Sequence, residues 1–184
     1  MILQWVDRRA GPEAALSDRF DEGFRKDLLT ELTEPLGQSG WAVDVVLVND
    51  EAMAGLNEDF RKTPGVTDVL SFSYLRDAGS GQPDLVGGQG RAFTNLWLDT
   101  LSQAPENDTT GVVGEVVLAP GFVTERCRRK GWPLEHEIPL LVVHGILHIL
   151  GWDHASEAET VAMQAVEEKI LSAGGLPHPL RERS

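Results

Sequence analysis

The alternation of apolar and polar residues along the chain predicts both helices and strands. Apolar side chains at spacings of three and four over residues 13–36 predict an amphipathic helix. Residues 41–48 form a continuous, largely β-branched run that is typical of a buried strand. The other predicted strands are residues 2–7, 68–74 and 111–118, and the other predicted helices are residues 51–60, 120–130, 133–150 and 156–172.

Residues 76–110 interrupt this pattern with frequent glycines and prolines, and a short strand at residues 93–98 is expected within them. We interpret the stretch as an insertion, because a second domain would show more regular patterning. The sequence therefore predicts one domain over residues 1–184 with an α+β fold. About four strands should form a small mixed sheet packed with helices, with the apolar helix at residues 133–150 buried.

Length and composition agree with this interpretation. A chain of 184 residues fits one ordinary domain, and a hydrophobic share of 41% argues against general disorder. No run approaches the roughly 20 apolar residues that a membrane span needs, and no secretory signal is expected at the N-terminus. Cys127 is the single cysteine, so an intramolecular disulfide is excluded. These features suit a cytoplasmic protein without membrane partners.

The net charge of −13 argues against non-specific binding of polyanions, so any contact with nucleic acid must be local. The densest basic cluster comprises Arg126, Arg128, Arg129 and Lys130. We interpret it as a solvated helix end, where cations also suit the helix dipole. Cys127 within this cluster is interpreted as a buried or bystander thiol rather than a reactive one.

Three of the five histidines fall within eleven residues, at His144, His148 and His154. On a helix, His144 and His148 would project from one face about 6 Å apart along the axis. Gly151 can end the helix in the left-handed conformation, so that the chain can return His154 as a third ligand. Three ligands leave the fourth position of a tetrahedral zinc open, as in catalytic sites. One zinc ion per chain is therefore expected, with no other cofactor.

A single histidine in an apolar helix is more often a hydrogen-bonded core residue than a ligand. Here three occur at ligand spacing with apolar flanks, and buried imidazoles without partners would cost free energy. The spacing resembles the His-Glu-x-x-His motif of zincins, so the metal helix is expected to be zincin-like. Gly145 replaces the Glu that serves zincin peptidases as general base, which disfavours peptide hydrolysis. Three neutral imidazoles leave the charge of the ion uncompensated, which favours a phosphodiester over an amide.

Three blocks, in order, resemble the YbeY family of single-strand-specific endoribonucleases, which act in rRNA maturation and ribosome quality control. The first is residues 144–154, and the second is residues 56–61 followed by residues 67–72. The third is residues 114–120, with Glu115 where Asp is more usual. The resemblance extends over roughly residues 42–172, and the stretch from residue 76 to 110 is longer than the family pattern.

The resemblance implies a metal-dependent hydrolase with zinc at His144, His148 and His154, and single-stranded RNA, an rRNA precursor, as substrate. It also implies a ribosomal subunit or ribosomal proteins as partners. His148 and Arg61 are the expected catalytic residues, with Arg61 near the metal and in contact with phosphate. A guanidinium can brace a phosphate with two hydrogen bonds. The other interpretation of Arg61 is a surface residue at a helix end.

Several assignments have alternatives. Asp153 either orients a ligand histidine or caps the turn before the last helix. Asp68 is interpreted as a structural hydrogen-bonding residue at a strand start rather than a catalytic acid, and His136 and His178 as bystanders. The nucleophile is open between a metal-bound hydroxide and the 2′-hydroxyl of RNA, and the oligomeric state is open. The alternative function is a ribosome-associated assembly factor with little nuclease activity, whose acidic surface docks on basic ribosomal proteins.

Overall fold

The computed structural model describes residues 1–9, 22–33, 41–74 and 111–179, and these contain four strands and five helices. The strands are β1 (Ile2–Asp7), β2 (Ala42–Leu47), β3 (Val69–Ser73) and β4 (Val112–Leu118). The helices are α1 (Glu22–Thr33), α2 (Asp50–Arg61), α3 (Pro120–Lys130), α4 (Leu134–Ile149) and α5 (Glu157–Ala173). The predicted α+β fold class is confirmed.

The four strands form one mixed sheet in the order β1-β2-β4-β3. Strands β1, β2 and β4 are parallel, and β3 pairs antiparallel with β4. Val45 in β2 lies opposite Trp5 in β1 and Val116 in β4. The continuous apolar run of β2 is explained by this position, because a central strand of a covered sheet is buried on both faces.

Helices cover both faces of the sheet, and each face has its own apolar core. On one face, Val116 and Leu118 of β4 share a core with Ile146 and Leu147 of α4. On the other face, the apolar side chains of β2, β3 and β4 surround Met53 of α2, which is fully buried. Helix α4 therefore packs on the first of these two faces and is buried there, as the apolar pattern of residues 133–150 predicted.

The ends of these helices follow local capping chemistry. The side chain of Asn49 accepts a hydrogen bond from the N–H of Ala52 at the start of α2. At the start of α5, Ser156 and Glu159 form a reciprocal capping box. Gly151 has a φ of +90° just after α4, the left-handed conformation that the sequence predicted for it.

Some predictions fall outside the described residues. The helix predicted over residues 13–36 is described only from residue 22 to 33, where it is helical. The predicted insertion at residues 76–110, with its short strand at residues 93–98, lies outside the described residues. The single domain over residues 1–184 therefore stays a prediction. In the part of the chain that is described, no helix has the length and apolar character to cross a membrane.

The interpretation of the basic cluster as a solvated helix end is wrong for Arg126. Its guanidinium is half-buried, and Nη1 donates a hydrogen bond to the carboxylate of Asp68. Nη2 lies 3.3 Å from Oε2 of Glu137. Arg128 in the same cluster is exposed, as expected, and pairs with Glu125. Arg126 therefore joins α3 to the start of β3 and to α4. Cys127 is buried in the core, as its interpretation as a bystander required.

Asp68 is held at the start of β3 by three donors. Besides Arg126, its carboxylate accepts hydrogen bonds from the N–H of Val69 at 2.9 Å and the hydroxyl of Thr67 at 3.1 Å. Burial alone would raise the pKa of Asp68, but the hydrogen bonds and the charge of Arg126 outweigh it, so the pKa lies below its ordinary value. The ionised carboxylate therefore stabilises the folded state.

We predict that Asp68→Asn lowers the free energy of unfolding at neutral pH by about 1–3 kcal/mol, because it leaves the half-buried guanidinium without its main counter-charge. Since the folded-state pKa is depressed, the contribution is present above the unfolded-state pKa and is lost as the pH falls through the folded-state value. The difference in the free energy of unfolding between wild type and variant should therefore become smaller below about pH 4. Urea denaturation across pH, with the exposed Asp59→Asn as control, checks this. A difference that is absent, or that does not change with pH, would contradict it.

Candidate metal centre

The candidate metal centre lies on a partly exposed stripe of α4 that is formed by His144 and His148. Of the sixteen residues in this helix, twelve are buried, and the other four are Glu135, His136, His144 and His148. The two motif histidines therefore project from an otherwise buried helix, one turn apart. Burial of the surrounding apolar residues holds the backbone beneath them in place.

The turn after α4 returns the chain to the same stripe. The N–H of Gly151 donates to the carbonyl of His148, and the N–H of Trp152 donates to the carbonyl of Leu147, both at 3.0 Å. Trp152 is buried in the core, which anchors the turn. His154 is consequently placed beside the helix, as the sequence predicted from Gly151.

The three histidine rings converge on one point. One ring nitrogen of each residue lies within 4.8 Å of the corresponding nitrogens of the other two. The Nε2 atoms of His144 and His148 are 3.2 Å apart. The ring of His154 is centred 5.3 Å from the His144 ring and 5.1 Å from the His148 ring. His154 is exposed while the other two are half-buried, so the site opens to solvent on the side of His154.

The partners of the two Nδ1 atoms determine what the Nε2 atoms present. Nδ1 of His148 lies 2.9 Å from the carbonyl oxygen of Trp152, which can only accept, so Nδ1 carries the proton. Nδ1 of His144 lies 2.8 Å from Oε1 of Glu167. Burial would raise the pKa of Glu167, but its hydrogen bonds to His144 and His178 outweigh this and lower it. The ionised carboxylate also accepts only, so each ring, in its neutral form, carries its proton on Nδ1 and presents an Nε2 lone pair.

With both rings neutral and protonated on Nδ1, two Nε2 lone pairs face each other at 3.2 Å, and they repel unless a cation lies between them. Nitrogens bound to one tetrahedral zinc at 2.0–2.1 Å are separated by about 3.3–3.4 Å, close to the distance seen here. Burial, followed by the charges of His144 and His154, lowers the pKa of His148 and so favours the neutral form that binds metal. The nitrogen donors present therefore fit a zinc ion.

A comparison with known proteins agrees with this geometry. The family model described as Endoribonuclease YbeY matches residues 13–175 of the chain. The chain belongs to the YbeY family. The match includes all three histidines and Arg61, so the predicted family is confirmed.

Two relatives found by sequence support the same assignment. Endoribonuclease YbeY of Rhodococcus opacus is 33% identical over 129 residues, which are 70% of this chain and 61% of that protein. Endoribonuclease YbeY of Halalkalibacterium halodurans is 31% identical over 157 residues, covering 84% and 87% of the two chains. The chain thus spans about three fifths of the Rhodococcus relative. The solution structure of TM1509 from Thermotoga maritima is 22% identical, with a TM-score of 0.46 over 92% of this chain and 89% of that one.

The sequence analysis missed Glu167, which contacts the centre, and His178, which contacts Glu167. Glu167 was not singled out, and His178 was interpreted as a bystander, yet His178 is buried with Nε2 at 3.3 Å from Oε2 of Glu167. One signal was available for Glu167. It stands at an inward position of α5 among Met163, Val166, Ile170 and Leu171, where the helical period predicts an apolar residue. An acidic residue there requires a partner.

Asp153 lies in the turn that carries His154. Its side chain is exposed, and its Oδ1 accepts a hydrogen bond from the N–H of His154 at 2.8 Å. Among the described residues it forms no hydrogen bond with any of the three imidazole rings. The rings of His144 and His148 are instead oriented by Glu167 and by the carbonyl of Trp152, respectively.

Arg61 is the last residue of α2, and its side chain is exposed. The loop that follows is held by Asn57, which is buried and donates to the carbonyl of Gly65 at 2.9 Å. The preceding Phe60 packs its ring edge-on against Phe72 of β3, with centroids 4.9 Å apart. Within the described ranges, no hydrogen bond or ion pair joins the Arg61 side chain to the three histidines. Its contact with the site therefore stays a prediction.

Gly145 explains why this site lacks the zincin glutamate. A Cβ atom at this position would lie 2.7 Å and 2.9 Å from the two methyl groups of Val116. Because β4 lies directly beneath this face of α4, no side chain fits without displacing the helix or Val116. The close packing of α4 on β4 thus requires a glycine at residue 145, and this glycine is why the site has no carboxylate there.

We predict that Gly145→Ala lowers the free energy of unfolding by about 1–3 kcal/mol, since the added methyl group overpacks the contact with Val116. Val116→Ala in the same chain should recover part of the loss. Gly55→Ala in α2 is the matched control, because nothing lies within 4 Å of the added Cβ and helix propensity then favours Ala by about 0.5–1 kcal/mol. Equal stability of Gly145→Ala and wild type in urea denaturation would contradict the packing argument.

Proposed function

We propose that this protein is a zinc-dependent endoribonuclease that cleaves single-stranded RNA in the cytoplasm, where it acts in rRNA maturation and ribosome quality control. The observation that carries the proposal is the convergence of three histidine nitrogens, with the Nε2 atoms of His144 and His148 3.2 Å apart beside His154. Membership of a family whose relatives are named endoribonucleases supports RNA as the substrate. An rRNA precursor and the ribosomal subunit that contains it are the proposed substrate and partner.

The donor set suits a phosphodiester. A zinc ion held by His144, His148 and His154 supplies Lewis-acid chemistry, which polarises a phosphate oxygen and lowers the pKa of water. The three imidazole ligands add no negative charge and Glu167 adds a single one behind His144, so a bound divalent ion would keep a net positive charge that attracts an anionic phosphate. This local attraction is needed because the chain as a whole carries a net charge of −13.

A peptidase mechanism is poorly supported. Among the described residues, Glu167 is the carboxylate that contacts a ligand imidazole, and it lies against Nδ1 of His144, the ring edge opposite Nε2. It is therefore placed to hold the ring rather than to take a proton from water beside the metal. Gly145 adds no carboxylate, since its position faces Val116.

Arg61 is proposed to bind the phosphate that is cleaved. Its guanidinium is exposed at the end of α2, and its five N–H donors suit two non-bridging oxygens of one phosphate. Stabilisation of charge that develops in the transition state would make this residue catalytic. The loop anchored by Asn57 would hold the end of α2 in place.

We predict that purified wild type with one equivalent of zinc cuts a 5′-labelled single-stranded RNA internally. His148→Ala should lose activity by more than about 100-fold with the loss of a ligand. Arg61→Ala should lose about 100- to 1000-fold, the usual cost of removing a transition-state donor, with metal content unchanged. The exposed Arg129→Ala of α3 is the matched control and should remain active.

The outcomes are distinguishable when the metal content of each preparation is measured by plasma mass spectrometry. Equal cleavage by wild type and His148→Ala would identify a contaminating nuclease. Zinc-loaded wild type that cleaves neither this RNA nor full-length precursor rRNA would overturn the nuclease proposal in favour of an assembly factor. Activity lost equally in Arg61→Ala and Arg129→Ala would remove Arg61 from its proposed role.

A further inference from the structure

A buried carboxylate links the candidate metal centre to the segment after α5. Glu167 is 3% exposed, and each of its oxygens has a histidine partner. Oε1 lies 2.8 Å from Nδ1 of His144, and Oε2 lies 3.3 Å from Nε2 of His178. A carboxylate this deeply buried is tolerated only where donors compensate its lost hydration.

A reversal of the chain brings His178 to this position. After α5, the N–H of Gly174 donates to the carbonyl of Ile170, and Gly175 adopts a φ of +76°. The N–H of Leu176 then donates to the carbonyl of Leu171 at 2.8 Å. The chain thereby folds back along α5, and the ring of His178 is 7% exposed when it reaches Glu167.

We propose that Glu167 and His178 are positioning residues for the metal centre. Glu167 holds the His144 ring with Nε2 toward the metal, and His178 holds Glu167 so that Oε1 is directed at His144. The inference rests on the proposed function, since it requires the three histidines to bind zinc. It adds that zinc affinity depends on a residue that belongs to no metal motif and lies beyond α5.

The physical reason is the choice of tautomer. A neutral imidazole carries its proton on Nδ1 or Nε2, and only the Nδ1–H form presents Nε2 to a metal. A carboxylate acceptor at 2.8 Å stabilises the Nδ1–H form, fixes the rotation of the ring, and makes Nε2 a stronger donor to a cation. The carbonyl of Trp152 orients the His148 ring in the same way, because it accepts a hydrogen bond from Nδ1. Glu167 therefore completes a pattern in which both helix ligands are oriented from their Nδ1 edge.

His178 acts one contact further away. A carboxylate with a single partner can rotate about its last side-chain bond, whereas a second donor on Oε2 restricts that rotation. An N–H donor at residue 178 is thus required, rather than an imidazole as such. This distinguishes positioning from simple core packing, because an amide side chain should substitute but an apolar one should not.

The test measures zinc affinity by competition with a chromophoric chelator at neutral pH, together with thermal unfolding of each metal-depleted variant. Glu167→Gln keeps the shape and an acceptor oxygen but removes the charge, and should weaken zinc binding by about 10- to 100-fold. His178→Leu should weaken it by about 3- to 10-fold, and His178→Gln should stay near wild type. Glu135→Gln and His136→Gln on α4 are the matched controls and should bind as wild type does.

A second measurement reads the tautomer without zinc or activity. Long-range ¹H–¹⁵N spectra of the metal-depleted protein should show His144 in the Nδ1–H form in wild type. The same spectra should show a mixture of tautomers in Glu167→Gln. This readout does not respond to a general loss of stability.

Each result has a separate meaning. Wild type that binds no zinc would overturn the proposed function itself. Wild type that binds zinc, with Glu167→Gln and His178→Leu at wild-type affinity and an unchanged His144 tautomer, would overturn the positioning inference alone. Variants that unfold at lower temperature but keep wild-type zinc affinity would also overturn it, because Glu167 and His178 would then serve stability only.

Discussion

Helix α4 lies on the sheet with Gly145 against Val116 of β4, and the position of the metal centre depends on this contact. Without a side chain at residue 145 the helix approaches β4 closely, and its apolar residues are buried on all sides but one. Each large apolar side chain buried there contributes roughly 1.5–3 kcal/mol, so the helix has little freedom to rotate or slide. The uncovered stripe presents His144 and His148, and the buried Trp152 anchors the turn that carries His154.

Electrostatics then make this stripe chemically distinct from the rest of an acidic protein. The Nδ1 edges of His144 and His148 face a carboxylate and a carbonyl, so in the neutral form of both rings the Nε2 lone pairs point at each other. A bound cation would relieve that repulsion and add positive charge at this point of a protein with a net charge of −13. This arrangement suits a substrate bound through few phosphates at a defined point better than a polyanion bound along a basic face.

Much of the fold and the centre could be predicted because the signals are local. The β-branched run of β2, the helical spacing of the histidines and the glycine after α4 each act within a few residues, where backbone geometry dominates. The bridge from Arg126 to Asp68 and Glu137 could not be predicted, since a run of basic residues resembles a solvated helix end until its neighbours are known. The contact of Glu167 with His144 could not be predicted for the same reason, because 23 residues separate them, and the role of His178 depends on that contact. The sequence pattern indicated that Glu167 faces inward on α5, but it did not indicate which helix lies opposite.

The central claim is that His144, His148 and His154 bind one zinc ion. X-ray absorption at the zinc edge, on protein reconstituted with one equivalent of zinc, tests it most directly. The account predicts about three imidazole nitrogens at about 2.0–2.1 Å and one further light atom, with one imidazole fewer in His148→Ala. Zinc that is not retained, a coordination shell containing sulfur, or identical spectra for wild type and His148→Ala would contradict the account.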